Sequence, residues 1–125
     1  MWILRFHLLQ PKDYNKIDRI CKKYGFVSRT HSPIIYSKAS IKYATQKHSW
    51  RSLSGEFHID HAALAKFFTS AKDSGLLQEI FHIFLERRIA LYIGEKRSIS
   101  GEQLDNSQEI FELTQAEILT ILSRL

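Results

Sequence analysis

Between Leu64 and Phe84 large apolar side chains recur at helical spacing, and one glycine, Gly75, divides them into two runs. Leu64, Phe67, Phe68 and Ala71 stand at i, i+3, i+4 and i+7, with Asp60 where an N-cap belongs. Leu77, Ile80, Phe81 and Phe84 repeat the pattern. Ile83 and Leu85 add apolar surface elsewhere, so the second helix is expected to be buried on more than one side. Two adjoining helices with this much apolar face must be covered by the rest of the chain. Gln78, Glu79, His82, Glu86, Arg87 and Arg88 make residues 76–93 too polar to span a bilayer, so no membrane partner is expected. Residues 89–93, apolar and closed by Gly94, fit a continuation of the helix or a short strand; continuation is the reading preferred.

At 125 residues, with 44% apolar side chains, the chain suffices for one core, and a single domain over residues 1–125 is expected. Cys21, the one cysteine, excludes an intrachain disulfide and a cysteine-rich metal site. It reads as a small buried hydrophobe. Arg5 and His7 interrupt the apolar start and no small-residue cleavage site follows, so a cytoplasmic or otherwise intracellular setting is expected.

The covering layer is to be found in the first half. Residues 2–9 alternate, with Trp2, Leu4, Phe6 and Leu8 on one side, which predicts a strand. Pro11 suits a first helical position, and Tyr14, Ile17, Ile20, Cys21 and Tyr24 form a stripe closed by Gly25. Residues 26–35 contain β-formers broken by Pro33, and residues 40–46 alternate again. Together these predict an α+β fold: an N-terminal βαββ unit packed with three or four C-terminal helices. Residues 47–55 read as a loop dividing a basic α/β part, 1–55, from a helical, mildly acidic part, 56–125. The last helix is expected from Thr114 and Glu117, which match a capping box, and from Ile118, Ile121, Leu122 and Leu125 on one face.

Charge divides the chain in the same place. The first 58 residues carry 11 Lys or Arg against 3 Asp or Glu, and the remaining 67 carry 7 against 10. A formal charge of +8 therefore accompanies −3, and a polyanion is the partner such a half attracts. Lys12, Lys16, Arg19 and Lys23 share one face of the first helix, suited to phosphate contact. Arg29, Lys38, Lys42, Lys47 and Arg51 extend the charge. Trp50, between His48 and Arg51, offers a surface on which a base could stack; the competing reading is a tryptophan that plugs the core.

Enzymatic chemistry has thinner support. His58, Asp60 and His61 are the one cluster resembling a metal or acid–base site, but no zinc signature has their spacing. With five glycines and no phosphate-binding loop, a nucleotide enzyme is not indicated. The expected function is non-enzymatic DNA or RNA binding through the basic N-terminal half, with no cofactor and no metal. The alternative is a protein-interaction or inhibitor module that forms a homodimer or docks through its C-terminal helices. A small metal-dependent nuclease is a third reading.

Overall fold

A computed structural model describes residues 2–26, 32–95 and 108–111, together with Thr120 and Ser123. Among these the chain runs β1 (Trp2–Leu4), a 3-10 turn (Phe6–Leu8), α1 (Pro11–Lys23), α2 (Pro33–Thr45), α3 (Trp50–Phe57), α4 (His61–Ser74), α5 (Leu76–Glu86), β2 (Ala90–Glu95) and β3 (Gln108–Phe111). The architecture is a small antiparallel sheet packed with five helices. The strand order is β1-β2-β3, with Trp2 opposite Tyr92 and Leu4 opposite Ala90.

The expected N-terminal βαββ unit is overturned. Among the described residues only the first of its strands is found, shortened to Trp2–Leu4 with a 3-10 turn at Phe6–Leu8, and its partner comes from beyond α5. Residues 40–46, read as a strand, belong to α2. Pro33 is the first residue of that helix, where its missing N–H costs nothing. Periodicity misled here because α2 is buried almost all round, through Ile34, Tyr36, Ser37, Ala39, Ser40, Ile41 and Ala44. A helix packed against each of the four others has no single apolar stripe to display. Its small residues permit close approach, and two of its hydroxyls bond within the helix, Ser37 donating to the Pro33 carbonyl and Thr45 to that of Ile41, while the buried Ser40 hydroxyl has no partner among the described residues.

Of residues 47–55, read as a loop, only 47–49 connect elements, and the rest belong to α3. Ser49 caps α3, its Oγ accepting the Ser52 N–H at 3.1 Å, and Leu53 is fully buried. The α4 and α5 expectations hold: Asp60 Oδ2 accepts the N–H groups of Ala62 and Ala63, the four stripe residues are buried, and Gly75 ends α4 at φ 89°. Continuation of α5 through residues 89–93 does not hold. Arg88 turns left-handed at φ 55°, and Ala90 then enters β2. The expected final helix lies outside the described residues, apart from Thr120 and Ser123, which are helical.

The core gathers Phe81, Phe84, Ile17, Ile41, Leu53, Leu64 and Leu77, each with almost no exposed surface. Trp2 and Phe6 fasten the N-terminal segment to α5, their rings 5.2 Å from Phe81 and 5.9 Å from Phe84. No helix among the described residues is long and apolar enough to cross a membrane.

Candidate nucleic-acid interface

The exposed side of α1 is built by its buried side. Ile17 and Cys21 point into the core together with Asp13, which leaves Lys12, Lys16, Arg19, Lys22 and Lys23 in solvent. The expected face is therefore present, but its charges are not equally available. α1 and α5 lie antiparallel, with Asp13 bound to Arg87 at one end and Lys23 to Glu79, at 3.4 Å, at the other. Between these contacts runs a groove of about 320 Å³, where Lys16 and Ile20 of α1 face Glu79, His82 and Glu86 of α5. A row of carboxylates thus accompanies the row of lysines. Lys22 is paired with Asp18 at 3.1 Å. Lys12, Lys16 and Arg19 have no carboxylate within ion-pair distance among the described residues.

The remaining basic candidates are dispersed. Lys42 is held by both oxygens of Glu56, at 2.5 and 2.8 Å. Lys38 lies with its ammonium 5.7 Å from the centre of the Phe6 ring and 5.8 Å from that of Tyr14. Lys47 and Arg51 are exposed beside and on α3, which packs on α2 and α4. Arg29 lies outside the described residues. Trp50 is half-buried, its indole stacked on Tyr43 at 3.8 Å and 14° and tilted against Phe68 at 5.4 Å. That ring packs between α2, α3 and α4. Among the described residues Tyr14, 37% exposed, is the large apolar side chain with most surface in solvent.

Two other groups can be placed chemically. Burial pushes the Cys21 thiol up to about 11, reinforced by nearby Asp18 and only partly opposed by a hydrogen bond with Ser37, so it stays a neutral packing group. His58 caps the end of α3, Asp60 spends one carboxylate oxygen on the α4 amides, and His61 Nδ1 lies 3.8 Å from the other. No three His, Cys, Asp or Glu side chains converge as a metal-binding group among the described residues.

Sequence reading missed Arg5 and Arg88. Their signal was contact across the sheet, which no local pattern carries. Arg5 donates from Nε and Nη2 to the Arg88 carbonyl, at 3.2 and 2.9 Å, while its backbone N–H bonds the Ile89 carbonyl. No protein-family model, curated protein or solved structure matches this chain.

Proposed function

We propose that this chain is a non-enzymatic nucleic-acid-binding protein that meets phosphates with the exposed face of α1. The observation that carries the reading is the presence of Lys12, Lys16 and Arg19 on one helix, in solvent and without an ion-pair partner among the described residues. Unpaired cations on a rigid element gain counterion release when a phosphate backbone replaces their ion atmosphere. Lysine and arginine here offer backbone contact, and nothing in their arrangement reads a base edge, so binding without strong sequence preference follows.

The carboxylates of α5 shape the interface. Glu79 and Glu86 would repel a polyanion laid along the α1/α5 groove, which favours a path over the outer surface of α1. The test is a titration of the protein with short duplex and single-stranded DNA and RNA at several salt concentrations. Affinity falling steeply with salt is the expected result, with a shallower slope for Lys12→Glu, Lys16→Glu and Arg19→Glu combined and circular dichroism unchanged. Absence of binding at low salt to all four polymers would overturn the proposal.

A further inference from the structure

α5 ends on a left-handed residue that is not glycine, as α3 does at His58. The Arg88 N–H bonds the Leu85 carbonyl at 3.1 Å and the Ile89 N–H bonds that of Phe84 at 2.7 Å, which leaves Arg88 left-handed. This is the position glycine fills at least conformational cost. The same chain uses glycine where α1 and α4 end, with φ 80° at Gly25 and 89° at Gly75. A long cationic side chain in its place is exposed at the tip of the α5–β2 turn.

Its surroundings are cationic too. Both donors that grip the Arg88 carbonyl come from Arg5, so a second arginine is seated on the backbone of the turn. Arg87 is spent on Asp13, and Lys12, next to Asp13 on α1, also acts on that carboxylate. Asp13 is buried and presents no negative charge to a ligand. Neither Arg5 nor Arg88 has a carboxylate within ion-pair distance among the described residues. A strained, exposed residue among unneutralised cations marks a place where the side chain serves a ligand rather than the fold.

We infer that the nucleic-acid contact extends from Lys12 across the N-terminal end of α1 to the α5–β2 turn, with Arg88 binding a backbone phosphate. Arg5 supplies a second cation and acts as a positioning residue for the turn. The guanidinium of Arg88 suits this contact because its planar fork matches two phosphate oxygens. The inference rests on the nucleic-acid reading above and adds Arg5 and, from the half of the chain whose net charge is negative, Arg88.

Arg88→Gly separates the fold from the ligand, because glycine keeps the left-handed turn and removes only the side chain. The variant is expected to melt at or above the wild-type temperature. Its binding to single-stranded RNA and duplex DNA should weaken roughly tenfold at low salt, and the slope of log affinity against log salt should become shallower by about one. Arg88→Gln should lose the same affinity without the gain in melting temperature, and Lys66→Gln, which removes one charge from α4, should change binding little. Wild-type affinity in both Arg88 variants would overturn this contact while leaving the α1 reading in place. Failure of the unmodified protein to bind either polymer would remove both.

Discussion

Asp13 and Arg87, one in the first turn of α1 and the other just past α5, form an ion pair in which the carboxylate is almost wholly buried. Arg87 Nε lies 3.1 Å from Asp13 Oδ1, and the Gln10 N–H donates to Oδ2 at 2.9 Å. Burial works against the charged carboxylate, yet the Gln10 amide, the Arg87 guanidinium and the charge of Lys12 outweigh it and hold the carboxyl below its usual range. A carboxyl lowered in the folded state stabilises the fold above its unfolded value, near pH 4, and that contribution disappears as pH falls through the folded value. The urea midpoint is therefore expected to drop below about pH 4, and to drop less in Asp13→Asn. Parallel curves for the two proteins between pH 5 and pH 2 would contradict this account.

Removing the other partner tests the pair at neutral pH. Arg87→Met leaves a buried carboxylate with the Gln10 amide and Lys12 for support, at a cost of about 1 to 3 kcal/mol. Because Arg87 is partly exposed, water offsets some of the loss. In a double-mutant cycle with Asp13→Asn the two changes should be strongly non-additive. Additive effects would mean that the cap on α1 and the anchor on α5 act separately.

Trp50 is half-buried against two aromatic rings, and a contribution to folding rather than to ligand stacking is the expected outcome of its removal. Its indole face is covered by Tyr43 and its edge meets Phe68, so Trp50→Ala should cost about 2 to 4 kcal/mol through lost packing and a residual cavity. In a Trp2→Phe background its emission should not respond to saturating single-stranded DNA or RNA. Quenching on binding, with unchanged melting temperature in Trp50→Ala, would restore the stacking role.

What could be read in the sequence depended on whether an element has one covered side. α1, α4 and α5 display stripes, with a proline at the start of α1, an aspartate before α4 and glycine closing both, and all three begin where those signals put them, although α5 stops at Glu86. α2 displays none, because packing on four neighbours spreads its buried residues around the axis, and short runs such as Ile41 to Ala44 then mimic strand alternation. The strand at Ala90 is decided by pairing with residues 2–4, a contact between segments far apart in the sequence. The basic face of α1 was legible from spacing alone. The pairing of its Lys23 with Glu79, and the placing of Glu86 across the groove from Lys16, were not, because they arise only through the antiparallel packing of two distant helices.

Lys42 and Lys16 make the sharpest comparison, since composition assigns them the same role. Lys42 has its ammonium engaged by both Glu56 oxygens and its side chain is only 21% exposed, whereas Lys16 is exposed without an ion-pair partner among the described residues. A phosphate would have to displace Glu56 to reach Lys42, exchanging one carboxylate for another anion with little net gain. Lys42→Gln should therefore leave affinity for nucleic acid within about twofold and the salt slope unchanged, while shifting stability by no more than about 1 kcal/mol. Lys16→Gln should weaken binding and make the salt slope shallower by about one, at nearly constant stability. Binding titrations at three salt concentrations, with melting curves on the same samples, distinguish the two. Equal losses for both variants would mean that total charge governs binding and that the α1 face holds no privileged position.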